Sequence, residues 1–234
     1  MSEFLADNCK TLAVAAGLIV GFPLVWKRRD RVGFEHVWQV LLLCVSYSAV
    51  CVFAATIFCS IERVLSGEAF SWGGVSTYGM YFLAPIPYLI ASKGAKRAGL
   101  TDLLAIYAVP SLFLQRASCL VAGCCQGALI PGTEMRWPTR ELELVFYVLL
   151  FLYFLRKEKS DTFIKGSLFP ILMTSYGAFR FFEEGFRDAG GASYLHLAHF
   201  WSFMSFVIGL SILLEMKRNY SKKLGSKSKK NGRK

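Results

Sequence analysis

Charge is scarce in this chain. Only 18% of its 234 residues are charged, while 54% are hydrophobic, and the mean hydropathy is +0.42. A soluble domain of this length does not show that balance, so a soluble globular fold is excluded. Internal repeats, long linkers and stretches of soluble-domain composition are also missing. The first ten residues carry Glu3 and Asp7 against a single lysine, and the first basic cluster follows the first apolar stretch. That order is the reverse of a secretory signal, so no cleavable signal is expected.

What the chain has is apolar segments of membrane-spanning length. A helix needs about 20 residues to cross the hydrocarbon. The sequence predicts an all-α polytopic integral membrane protein with seven spans, near 11–26, 36–58, 73–92, 103–122, 141–155, 166–186 and 197–215. Residues 1–216 form one transmembrane domain, followed by a basic, disordered cytoplasmic tail over 217–234. Prolines at 85, 87, 110 and 170 lie within predicted spans and imply kinks.

The net charge of +11 is not a nucleic-acid footprint, because of where it sits. Lys27, Arg28, Arg29 and Arg31 follow the first span. Lys93, Lys96 and Arg97 follow the third; Arg156, Lys157, Lys159 and Lys165 follow the fifth; the stretch from Lys217 to Lys234 follows the seventh. These alternate connections lie on one side, so the positive-inside rule puts the N-terminus out and the C-terminus in. The basic tail is a topology anchor touching anionic lipid.

The run Gln115-Arg116-Ala117-Ser118-Cys119-Leu120-Val121-Ala122-Gly123-Cys124-Cys125-Gln126-Gly127 is the most informative segment. A guanidinium in hydrocarbon costs roughly 2.5–3.5 kcal/mol on insertion scales, so Arg116 must face a partner, a watery cavity or an anionic ligand. Arg116 lies about 9 Å inside the outer end of span four at 1.5 Å per residue. Arg180 lies at the same distance from the end of span six, and Tyr78 is similarly deep in span three. Tyr176, Arg180, Glu184 and Arg187 recur on one helical face, either as intrahelical ion pairs (Arg180 with Glu184, Glu183 with Arg187) or as the wall of an anion site. Arginine's planar fork suits bidentate phosphate contact. Glu143, early in span five, is placed to orient an arginine. Gly73, Gly74 and Gly79 read either as a helix-packing face or as ligand lining.

Three stretches then resemble the prolipoprotein diacylglyceryl transferase family. Ser76-Thr77-Tyr78-Gly79 is similar to the family's Ser-Phe-His-Gly-Gly segment. Arg116 through Gly127 is similar to its Gly-Arg-Ile-Gly-Asn-Phe-x-Asn-Gly-Glu-x-x-Gly motif. Pro138-Thr139 with Glu143, and Tyr176 through Arg187, are similar to its last blocks. The resemblance implies transfer of a diacylglyceryl group from phosphatidylglycerol to the lipobox cysteine thiol of a preprolipoprotein, releasing glycerol phosphate, with no cofactor and no metal.

By position, the resemblance makes Arg116, Arg180, Tyr78 and Tyr176 catalytic. Glu184, Arg187, Glu143, Gly79, Gly123 and Gly127 join the two arginines in binding substrate. The resemblance also implies the bacterial plasma (inner) membrane as its location; the lipid bilayer, phosphatidylglycerol and the lipobox peptide are the expected partners, and no nucleic acid is. The chain departs from the family where Tyr78 replaces histidine, Gln115 replaces glycine, and Cys119, Ala122 and Cys124 replace Asn, Asn and Glu.

The cysteines keep other readings open. Cys44 and Cys51 are expected to be packing thiols. Cys59, Cys119, Cys124 and Cys125 lie toward the outer face, where Cys124 and Cys125 would each pair elsewhere more readily than with each other. A Cys/His metal site with His196 and His199 is a further option. A thiol-redox or sulfur-handling membrane protein, or a lipid-binding protein without chemistry, are the alternative functions on this scaffold.

Overall fold

In the computed structural model, which describes residues 3–187 and 194–231, with side chains described for 9, 11–187 and 197–222, the chain is a helical bundle. Its helices are α1 (Glu3–Trp26), α2 (Val37–Leu65), α3 (Thr77–Phe82), α4 (Ile86–Ala91), α5 (Gly94–Ala122), α6 (Thr139–Glu158), α7 (Leu168–Glu183) and α8 (Tyr194–Asn231). Among the described residues the only strand pairing is two isolated antiparallel bridges, Gly127 with Arg187 and Leu129 with Arg136.

Helix α5 is the axis of the bundle. Its stretch Leu103–Val109 is buried on every side, as a helix apolar all round must be. α1 and α6 pack along it, α7 meets it, and α8 lies along α7. Asp102 of α5 is fully buried and accepts the backbone N–H groups of Gly166 (2.8 Å) and Leu168 (3.0 Å). It supplies the cap at the start of α7 that Ser167 does not, and its charge suits the positive end of that helix. At this same end Glu158 joins Arg28 (2.6 Å) and Arg31 (2.7 Å), tying the end of α1 to the end of α6.

Three helices are long and apolar enough to cross a membrane: Val37–Leu65, Gly94–Ala122 and Leu197–Lys222 within α8; the apolar stretch Thr11–Trp26 is shorter. Large apolar side chains such as Trp38, Leu42, Phe53, Leu149 and Phe203 point outward, a surface suited to lipid.

The expected third span is not one helix. Residues 73–76 are non-helical, then α3 and α4 follow with a break at Ala84-Pro85. Pro85 and Pro87 have no N–H to continue the ladder of α3, and they sit instead at the start of α4, where the missing donors cost nothing. Broken backbone is tolerated there because protein surrounds it, and Ala84 is fully buried. Pro170 likewise falls in the first turn of α7 and forces no kink, whereas Pro110 lies within the continuous α5. α8 runs past 215 and through the lysine-rich stretch to Asn231.

Candidate functional site

A cavity of about 420 Å³ opens at the end of the bundle opposite Glu158. It lies where α2, α5 and α7 finish and α3, α6 and α8 begin. Arg116, Arg180, Tyr78, Tyr176, Glu143 and Arg187 all line it, joined by Glu62, Arg63, Ser76, Tyr147 and Cys59. Helices α5, α7 and α3 thus deliver Arg116, Arg180 and Tyr78, the three polar groups that the sequence places at one depth, to one cavity. The volume falls in the range of small-molecule sites.

The arginines are held in a chain of carboxylates. Glu143, 2% exposed, pairs with Arg116, accepts the Tyr147 hydroxyl at 3.0 Å, and lies 3.8 Å from Arg180. Arg180 pairs through Nη1 with Glu183 and through Nη2 with Glu184 at 2.7 Å, while its Nε has no hydrogen-bond partner among the described residues. Buried guanidiniums need such partners, and removing one leaves an uncompensated charge. Glu143 is therefore the hinge between the two arginines, one turn below Tyr147 on the same face of α6. Tyr147 is fully buried and stacks on Tyr176, with ring centroids 6.2 Å apart; Tyr176 also contacts Tyr81 at 4.8 Å. These tyrosines form the floor beneath the charged groups. Sequence reading missed Tyr147, although its spacing from Glu143 was the available signal.

Tyr78 is 5% exposed. Its hydroxyl lies 2.5 Å from Ser202 Oγ and 3.2 Å from the Ala198 carbonyl on α8, and Ser202 donates to that same carbonyl at 2.7 Å. The phenol is thus anchored across the bundle to the first turns of α8.

The Tyr176–Arg187 segment differs from the expected continuous helical face. α7 stops at Glu183, a single 3-10 turn covers Glu184–Phe186, and Arg187 is extended with φ −87° and ψ 149°. Arg180 pairs with both Glu183 and Glu184, and Arg187 has no ion-pair partner among the described residues. Arg187 reaches the cavity because its backbone bridges Gly127, with Ala128 N–H donating to Phe186 at 2.9 Å.

The three glycines expected to bind substrate are structural here. A Cβ on Gly127 would lie 2.1 Å from the Trp137 carbonyl oxygen, so this glycine lets three chain segments cross. A Cβ on Gly79 would lie 2.2 Å from the Ala54 carbonyl oxygen, making it a packing contact of α3 on α2. Gly123 ends α5 in the left-handed region at φ 67°, which glycine alone adopts freely. None of the three lines the cavity.

Cys44, Cys51, Cys59, Cys119, Cys124 and Cys125 are free thiols, and Cys44 and Cys51 are buried as expected. Cys124 and Cys125 form no disulfide; both approach Cys119, and the three line one side of the cavity. Cys125 is the sole non-glycine residue with positive φ (58°) among the described residues. Its thiol is held well below the usual range, first by a hydrogen bond from the Cys119 thiol and then by the nearby Arg187 and Arg116 charges. His199 packs edge-on against Phe181 and does not line the cavity, and the side chain of His196 lies outside the described residues.

The family model for prolipoprotein diacylglyceryl transferase matches residues 10–215 of the chain. No curated protein matches it. The match spans nearly the whole bundle and every cavity-lining residue named above, and the chain belongs to the prolipoprotein diacylglyceryl transferase family, a family of bacterial membrane transferases.

Proposed function

We propose that this member of the family transfers the diacylglyceryl group of phosphatidylglycerol to the cysteine thiol of a preprolipoprotein lipobox at the outer half of the bacterial inner membrane. Seven crossings with the N-terminus outside and the C-terminus inside belong to the same reading. The observation that carries it is the convergence of Arg116 and Arg180 from two helices on one cavity, with Glu143 between them. A second observation supports it. An apolar groove lined by Ala13, Val14, Val52, Met80 and Ala108 meets the cavity at Val75 and Gln115, offering an acyl-chain path beside the headgroup site.

In this reading the acceptor sulfur attacks the glyceryl carbon that carries the phosphate ester. The carbon–oxygen bond breaks, a carbon–sulfur bond forms, and glycerol phosphate leaves with the bonding electron pair. The thiol proton goes to solvent as the thiolate forms. Arg116 and Arg180 hold the phosphate and offset the charge gathering on the leaving oxygen, in a site where water does not screen them. Their carboxylate partners keep both forks aligned before lipid arrives. Arg187 meets the phosphate from the rim.

Tyr78, tied to Ser202 and Ala198, positions a lipid oxygen and does not remove a proton. A free thiol is a few per cent ionised at neutral pH, and adjacent guanidiniums raise that fraction. The three clustered thiols favour a second reading, sulfur handling on the same scaffold.

The test is mass spectrometry of a lipobox peptide incubated with purified protein in phosphatidylglycerol vesicles. A diacylglyceryl mass gain on the cysteine supports transfer. An unmodified peptide with intact lipid rejects it.

A further inference from the structure

The thiol group at the mouth of the cavity is not used by the transfer chemistry. The Sγ atoms of Cys119, Cys124 and Cys125 all lie within 4.8 Å of one another. A disulfide consumes two thiols and leaves the third idle, whereas three sulfurs around one point match a metal's coordination shell. At a metal–sulfur bond of about 2.3 Å, sulfurs in a trigonal shell sit about 4.0 Å apart, so closure needs shifts below about 1 Å. We propose that Cys119, Cys124 and Cys125 form a three-thiolate site for a soft monovalent cation, Cu(I).

Local chain geometry builds the site. Cys119 lies on the last turn of α5, and that helix stops at Gly123 in the left-handed region. The reversal folds Cys124 and Cys125 back over the helix end, with Cys125 itself held at φ 58°. A side-chain-bearing residue stays in that region only where its surroundings hold it there.

Ion choice follows from the donors. Thiolates select soft ions, and structural zinc takes four ligands. Among the described residues only these three sulfurs gather, and His199 is turned to Phe181. Three sulfurs with no fourth ligand among the described residues fit Cu(I). Binding releases up to three thiol protons and leaves a complex of net charge −2. Arg116 and Arg187, on the same cavity wall, offset that charge. Cys119 and Cys124 are half-buried and Cys125 is exposed, so an ion has a path in.

The experiment is a competition titration of the purified full chain, reduced with a phosphine, against a colorimetric Cu(I) chelator. X-ray absorption on the loaded protein follows. The wild type should take one Cu(I) per chain, with three sulfur neighbours near 2.3 Å. Cys119→Ser, Cys124→Ser and Cys125→Ser should each weaken it at least tenfold, while Cys44→Ser, inside the bundle, leaves it unchanged. Melting without copper should match the wild type for the three cavity variants. Failure of the wild type to compete, or equal loss in Cys44→Ser, overturns the site. Lipidation of a peptide plays no part in this readout, so the metal site and the transfer reaction stand or fall separately.

Discussion

Replacing Arg180 with lysine keeps a positive charge and removes the fork. In the resting site Nη1 meets Glu183 and lies 3.8 Å from Glu143, while Nη2 meets Glu184 at 2.7 Å. A single ammonium cannot hold carboxylates on both sides and also present two parallel donors to a phosphate. One charge-assisted hydrogen bond is lost, about 1.5–3 kcal/mol. If that bond is made to the departing phosphate, the rate falls roughly 10- to 150-fold at about 1.4 kcal/mol per decade. The assay is the initial rate of thioether formation on a cysteine peptide in phosphatidylglycerol vesicles, beside a melting curve in detergent. The expected outcome is that rate loss with the bundle still folded. A folded Arg180→Lys protein working within about threefold of wild type would refute the phosphate-clamp reasoning.

Other perturbations separate the parts of the account. Glu143→Gln keeps an acceptor for Tyr147 but leaves Arg116 without its buried carboxylate; breaking such a pair costs about 3–5 kcal/mol, so melting should drop by several degrees and activity with it. An unchanged melting curve contradicts the carboxylate chain. Tyr78→Phe removes the tie to Ser202 and should slow transfer only a few-fold, with the pH–rate profile unshifted; a Phe variant without activity beside a fully active Tyr78→His makes Tyr78 the base. Cys124→Ser together with Cys125→Ser should leave lipid transfer largely intact, whereas loss of all function with lipid binding preserved favours sulfur handling. Reporter fusions should place 93–97 and the segment after 217 in the cytoplasm and 60–71 outside; an external C-terminus defeats the shared-depth argument.

The convergence of Arg116, Arg180 and Tyr78 was legible because each is a polar residue at a matching distance from the end of an apolar segment, and Glu143 because it lies early in span five, where a carboxylate can orient an arginine. Burial in hydrocarbon makes such residues costly, so they gather. The route of Arg187 was not legible from helical spacing. Its position depends on the bridge to Gly127, a contact between residues far apart in sequence. The break at Pro85 was readable as a disturbance, but two prolines predict equally a kink or a restart, and only packing of α3 on α2 through Gly79 decides between them. Gly79, Gly123 and Gly127 read as ligand contacts because close approach to a ligand and close approach to a neighbouring backbone make the same demand on sequence. The meeting of Cys119 with Cys124 and Cys125 hinged on the helix stopping at Gly123, a boundary that hydropathy alone does not fix.

The central claim is that the two arginines hold a phosphate that leaves as sulfur arrives. Its most direct test is to count glycerol phosphate released against thioether formed, with purified protein, phosphatidylglycerol and a cysteine peptide. The account predicts one glycerol phosphate per thioether, and neither product when serine replaces the peptide cysteine. Glycerol phosphate released at the same rate without the thiol would mean hydrolysis and would contradict it.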